Sequence, residues 1–295
     1  MKRVLVLGSG GVAGIAWATG VCAGLARAGA DGALADGFLG TSAGSVVAAQ
    51  LALGVPVEQL LASQLEEAAG STEKLRPFSL ADAYARNRAL MEKVGGDLVA
   101  ARQRIGAFAL RTHTVPVAER RAIIAARLPS PDNPWPSRWL GLVAVDAETG
   151  EHCMWDRHSG VPLVDAVASS CAVPGSWPVV RLNGRPYMDG GIRSGTNADL
   201  IGAAERVLVI APQGYGDDNP VSGHLRAELR HLQGQGCRVD AIVPNEASLQ
   251  AMGDNVLDPA RRVPSAHAGL HQGLEFGPVL ASAWGAWPRD VFAKP

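Results

Sequence analysis

Two short apolar runs, each cut off by glycine and each followed by a helical pattern, constrain this chain most. Val4-Leu5-Val6-Leu7 is unbroken β-branched and aliphatic sequence, the character of a strand buried on both faces, and a glycine cluster from Gly8 to Gly14 ends it. Residues 12 to 28 then carry Ala, Leu and Val with few breakers until Gly29. The second run, Gly37-Phe38-Leu39, stops at Gly40, and Ala43 to Leu53 reads as a helix closed by Gly54 and Pro56. Strand, helix, strand, helix in this order is the signature of a parallel sheet covered by helices.

Residues 57 to 128 hold mostly helical patterns. Within them, Arg76 to Arg127 carries ten basic residues against Asp82, Glu92, Asp97 and Glu119, a surplus hidden by the net charge of −1 for the whole chain. Two readings stay open for it. One is a set of solvated helical faces. The other is a surface that covers the active site or meets anionic lipid, using Arg86, Arg88, Arg102 and Arg104 beside Phe108 and Leu110. After a proline-rich link from Leu128 to Pro136, strands are predicted at Trp139 to Asp146 and His152 to Trp155, and a helix at Val161 to Ser170. A hairpin follows around Asn183-Gly184, from Val179 to Leu182 and Arg185 to Met188, then strands at Arg206 to Ile210 and Arg238 to Val243.

The near-neutral charge provides no field to gather nucleic acid, so nucleic acid is not an expected partner. Cys22, Cys153, Cys171 and Cys237 form no C-x-x-C pair, which argues against a zinc site or a disulfide framework and suits a reducing cytoplasm. The short apolar run after Met1-Lys2-Arg3 is read as structure rather than as a signal peptide. No apolar stretch reaches the roughly 18 residues of a spanning helix. Any membrane contact is therefore expected to be peripheral.

The chemistry concentrates at Gly40-Thr41-Ser42-Ala43-Gly44, a G-x-S-x-G pentapeptide between a predicted strand and a predicted helix. A serine hydroxyl attacks well only when exposed at a tight turn beside a base, and flanking glycines permit such a turn. Gly8-Ser9-Gly10-Gly11, at the same carboxyl edge of the sheet, could supply backbone donors for an oxyanion. The same loop, continued through Val12 and Ala13, also satisfies the dinucleotide fingerprint G-x-G-x-x-A. That fingerprint wants an acid at the end of the second strand. Asp31 and Asp36 precede the strand instead.

Two kinds of base are available. His224, His231, His267 and His271 follow Asp189, so a Ser-Asp-His order of the α/β-hydrolase type can be written. Alternatively Asp189 itself, in Tyr187-Met188-Asp189-Gly190-Gly191, ends a hairpin strand with two glycines leaving its carboxylate open. Partial burial beside a serine would raise its pKa towards that of a useful base.

Four segments in order give the chain a resemblance to the patatin-like phospholipase family: the loop from Gly8 to Gly14, the elbow from Gly40 to Gly44, Asp189-Gly190, and the block Ala168-Ser169-Ser170-Cys171-Ala172-Val173-Pro174 with Trp177-Pro178. The resemblance spans about residues 3 to 210. It implies a three-layer α/β/α fold with a mainly parallel central sheet, a helical cap-like segment at about 57–128, and a less characterised part at about 211–295 within one domain. It also implies a Ser-Asp dyad without histidine, with Ser42 acylated, Asp189 as base and the N–H groups of Gly10 and Gly11 as oxyanion hole. Gly8, Gly40, Gly44 and Gly190 would support them. The expected substrate is a lipid or other acyl ester, with no cofactor or metal, and activity is expected to be independent of calcium. One position departs from the family's pattern: Ala13 stands where many members have Arg or Lys.

Overall fold

The computed structural model describes residues 1–66, 76–129 and 134–284. The glycine punctuation is reproduced by β1 (Arg3–Leu7), α1 (Gly11–Arg27), β2 (Gly37–Thr41) and α2 (Ala43–Ala52). The helical segment gives α3 (Val57–Leu65), α4 (Leu80–Lys93), α5 (Leu98–Arg111) and α6 (Val117–Ala125). Ser79 caps α4 by accepting the Asp82 N–H, and Asp97 caps α5 through Val99 and Ala100. Next come β3 (Trp139–Asp146), β4 (His152–Trp155), α7 (Leu163–Ser170), β5 (Val180–Leu182) and β6 (Arg185–Asp189). The chain continues through β7 (Arg206–Ile210), α8 (Leu225–Gly234), β8 (Arg238–Ile242), α9 (Glu246–Met252) and α10 (Arg262–Trp284). Part of the predicted link at 128–136, and 285–295, lie outside the described residues.

The eight strands of the described residues form one sheet in the order β5-β6-β3-β2-β1-β7-β8, with β4 also paired to β3. The pairs from β3 through β2, β1 and β7 to β8 are parallel, whereas β4 and β6 run antiparallel to β3 and β5 antiparallel to β6. Strand side chains alternate between faces, and the two faces join different cores. Leu5 and Leu7 pack with Trp17 of α1, Val47 of α2 and Trp284 of α10, whereas Val4 and Val6 pack with Leu225 and Leu232 of α8. The chain is thus an α/β protein with a mixed, mainly parallel sheet between helical layers. Among the described residues no helix is long and apolar enough to cross a membrane.

Helix α10 is laid against α1 at a distance that only glycine permits. A Cβ on Gly269 would stand 2.1 Å from the Trp17 carbonyl oxygen, and one on Gly24 would stand 2.3 Å from that of Leu270. Glycine inside a helix ordinarily costs about 0.5–1 kcal/mol relative to alanine, so the helices accept that penalty in exchange for close contact. Gly269→Ala should therefore lower the urea midpoint, by 1 kcal/mol or more as a rough figure for overpacking. Gly234→Ala on α8, where a Cβ meets open space, should leave the midpoint unchanged or raise it slightly. Equal effects at the two sites would contradict this packing.

Candidate active site

Ser42 occupies the turn from β2 into α2 with φ 54° and ψ −119°, a positive-φ conformation costing a non-glycine residue on the order of 1–3 kcal/mol. Contacts on every side hold it there. A Cβ on Gly44 would lie 1.9 Å from the Leu7 carbonyl oxygen, and the Gly44 N–H donates to the Gly8 carbonyl at 3.0 Å, so α2 begins pressed against the end of β1. Gly40 lies against Ser45, and Gly8 donates to Ile210 at the end of β7. The Ser42 N–H donates to Ser170 Oγ at 2.9 Å, and that hydroxyl donates in turn to the Val143 carbonyl at 2.6 Å. Ser45 Oγ and Cys171 Sγ both donate to the Ser42 carbonyl, at 2.6 and 3.1 Å. The strained residue thus has both main-chain polar groups satisfied within the protein, as burial demands.

Asp189 closes β6, 147 residues away in sequence, and its Oδ2 accepts the Ser42 hydroxyl at 2.6 Å. Its Oδ1 accepts the Gly191 N–H at 2.7 Å. The next residue, Gly190, is pressed onto β3, where a Cβ would stand 2.2 Å from the Val143 oxygen. The carboxylate is only 4% exposed. Burial pushes its pKa up to about 6, against the opposing effects of the Ser42 and Gly191 hydrogen bonds and the Arg120 charge.

The glycine loop faces the same point. Among the described residues, the N–H groups of Gly10 and Gly11 have no hydrogen-bond partner, and Gly11 has φ 62°. Both glycines line a cavity of about 340 Å³ with Ser42 and Asp189. At the departure from the family pattern, Ala13 is fully buried and its N–H donates to the Val256 carbonyl at 3.0 Å. The loop is anchored there by the main chain.

The remaining walls of the cavity are largely apolar, with Leu80 and Leu90 from α4, Ile105 and Phe108 from α5, Phe78 and Val173. Arg86 and Arg104 also line it, whereas Arg88 donates to the Asp218 carbonyl and half-buried Arg102 to that of Arg193. The basic segment is therefore part cavity wall and part bracing of neighbouring loops. Phe108 is 52% exposed and Leu110 36%, so α5 also presents apolar side chains outward.

Among the described residues no histidine lines the cavity. His224 bonds the Val221 carbonyl, His231 bonds Gln235, and His267 and His271 lie exposed along α10. The acids required by a nucleotide are also misplaced. Asp36 accepts the N–H groups of Lys2 and Arg3, and Asp31 caps a turn at Ala33, which puts both at the amino edge of the sheet, opposite the glycine loop.

The sequence alone did not reveal the contributions of Ser170, Cys171 and Arg120. The block from Ala168 to Pro174 marks the first two but not their hold on Ser42. Arg120 reads as one more cation of the basic segment. In the fold it is 4% exposed, with its guanidinium 3.8 Å from the Trp177 ring, and it lines a small gap together with Ser42 and Cys171.

The site thus combines a serine at a strand-to-helix turn with an aspartate and a glycine loop on an α/β sheet. The model of the patatin-like phospholipase family matches residues 5–201, more than half of the chain, and the protein belongs to that family. Among solved structures it is similar to VipD from Legionella pneumophila, at 12% identity and a TM-score of 0.45 over 93% of this chain and 66% of that one. It is also similar to the type III effector protein ExoU, at 16% identity and a TM-score of 0.40 over 93% of this chain and 52% of that one. The chain thus spans less than two thirds of the length of either neighbour. No curated protein matches it.

The raised pKa of Asp189 has a consequence for stability. The folded chain binds this proton more tightly than the unfolded one, so the ionised carboxylate destabilises the fold, fully above pH 6 and progressively less as the pH falls towards the ordinary value of 3.8. Asp189→Asn should raise the stability at pH 8 by on the order of 2 kcal/mol, measured by urea unfolding. The gain should fade between pH 6 and 4. A loss of stability, or a gain independent of pH, would contradict the burial of an ionised group.

Proposed function

We propose that the protein is a serine acyl-ester hydrolase of lipids, of the phospholipase A, lysophospholipase or lipid esterase type, working through a Ser42–Asp189 dyad and an acyl-enzyme. The observation that carries the reading is the 2.6 Å contact between the Ser42 hydroxyl and a buried carboxylate, at the floor of an apolar cavity. Family membership makes lipid hydrolysis the general class of reaction.

In this reading Asp189 takes the Ser42 proton as Oγ attacks the ester carbon, and a pKa near 6 suits it to a base at neutral pH. The N–H groups of Gly10 and Gly11 receive the developing oxyanion, where preorganised donors are worth most. The N-termini of α1 and α2 face the same charge. Asp189 then passes the proton to the leaving alcohol, and Ser42 remains acylated until water releases the acid. The acyl chain lies along Leu80, Leu90, Ile105 and Phe108. Arg86 and Arg104 with exposed Phe108 and Leu110 form a surface for peripheral contact with an anionic membrane.

Ser42→Ala and Asp189→Asn should each lower kcat on a short p-nitrophenyl ester by about 10³-fold or more, while single replacements of His224, His231, His267 and His271 change it less than about twofold. In the wild type, kcat/KM should rise with pH to a plateau, with its midpoint near 6, as Asp189 loses its proton. A comparable loss from any one histidine would replace the dyad with a triad.

A further inference from the structure

Ser42 and Asp189 sit where two strand ends meet head on. β2 runs parallel to β3 and ends with Thr41 beside Val143, whereas β6 runs antiparallel to β3 and ends with Asp189 beside Ala144. Both lie along one edge of β3, because β4 pairs with Leu142 to Val145 on the other. Ser42 and Gly190 are the first residues past the two ends. Among the described residues no main-chain hydrogen bond crosses from one end to the other. The sheet sets each strand against β3 and leaves the junction to side chains.

Asn197 bridges that junction. It is fully buried, and its Nδ2 donates to the Thr41 hydroxyl at 3.2 Å, the Gly190 carbonyl at 3.2 Å and the Ser194 carbonyl at 2.9 Å. The Thr41 hydroxyl donates in turn to the Thr196 carbonyl at 3.2 Å. Asn197 Oδ1 accepts Arg193 Nη1 at 2.8 Å, so carbonyls on one side and a guanidinium on the other fix the amide's orientation. One side chain thus holds the residue before Ser42 and the residue after Asp189. Its backbone has φ 53°, a positive value that asparagine adopts more readily than most residues. Glu228 of α8 accepts from the Thr196 hydroxyl and from the Ala198 N–H, which clamps the chain on either side of Asn197. The bridge is therefore anchored outside the junction that it spans.

We infer that Asn197 is a positioning residue for the dyad, which sets the approach of the Ser42 hydroxyl to the Asp189 carboxylate by tying Thr41 to Gly190. It does not line the cavity, so it acts through its neighbours and not on the substrate. Proton transfer from Ser42 to Asp189 uses the 2.6 Å contact between them, and a misplacement of about 1 Å can cost on the order of 100-fold in rate. Loss of the bridge slows attack by Ser42 and leaves the cavity walls in place.

The inference rests on the dyad reading. Asn197→Gly accepts the positive φ and removes only the side chain, Thr41→Val removes the hydroxyl at nearly constant shape, and Thr41→Ser puts it back. Each variant is treated with a fluorophosphonate, and its intact mass is followed over time to give both the rate of labelling and the fraction finally labelled. The expected result is a rate lower by about 10-fold or more in Asn197→Gly and by about threefold or more in Thr41→Val, at an unchanged final extent. Thr41→Ser should recover most of the rate lost in Thr41→Val. Gly269→Ala, destabilised in the packing of α10 on α1, should label at the wild-type rate, which separates a misplaced dyad from a looser fold. Rates within about twofold of wild type in Asn197→Gly and Thr41→Val, an equal slowing in Gly269→Ala, or a lower extent at an unchanged rate would overturn the role of Asn197. If Asn197→Gly does not fold, the two Thr41 variants decide by the same criteria. Undiminished ester hydrolysis by Ser42→Ala would instead overturn the dyad.

Discussion

The site depends on two consecutive residues of β3. Thr41, at the end of β2, pairs with Val143, and Asp189, at the end of β6, pairs with Ala144, the next residue along the same edge of that strand, whose other edge is taken by β4. Ser42 and the Asp189 carboxylate therefore meet over the middle of β3, although 147 residues separate them. The Val143 oxygen also receives the Ser170 hydroxyl and abuts Gly190, so one peptide of β3 contacts both the residue that holds the elbow and the aspartate turn. A sheet this well buried deforms little, which is what a geometry sensitive to fractions of an ångström requires.

In the proposed reading, that placement lets a carboxylate serve where a histidine is expected. An aspartate in water is too acidic to draw a proton from serine, and burial among apolar walls is what shifts it. The fold accepts an unfavourable buried charge at Asp189 and an unfavourable backbone at Ser42 side by side, each held by contacts made elsewhere. The cavity beside the aspartate is lined by side chains of α4 and α5 that, in the proposed reading, would hold the acyl chain.

Much of the fold was legible because its strands are buried runs between glycines. β1 and β7, continuous in valine and leucine, fall where the pattern puts them, and so does the hairpin around Asn183-Gly184. The elbow was legible because Gly40 and Gly44 are required by contacts within a few residues or with the neighbouring strand. What local pattern does not encode is strand order. Nothing in Arg185 to Asp189 says that it joins the sheet antiparallel to β3, and that insertion is what brings Asp189 to Ser42. Ser170 and Arg120 act across long sequence distances and look ordinary in their own segments. The last part of the chain was the least legible, since the glycines of α10 acquire meaning only against those of α1.

The central claim is that Ser42 is the activated nucleophile. The direct test is to treat the intact protein with a fluorophosphonate and identify the modified peptide by mass spectrometry. A single adduct on Ser42, strongly diminished in Asp189→Asn, is the result this account predicts. Modification of another residue, or of none, would contradict it.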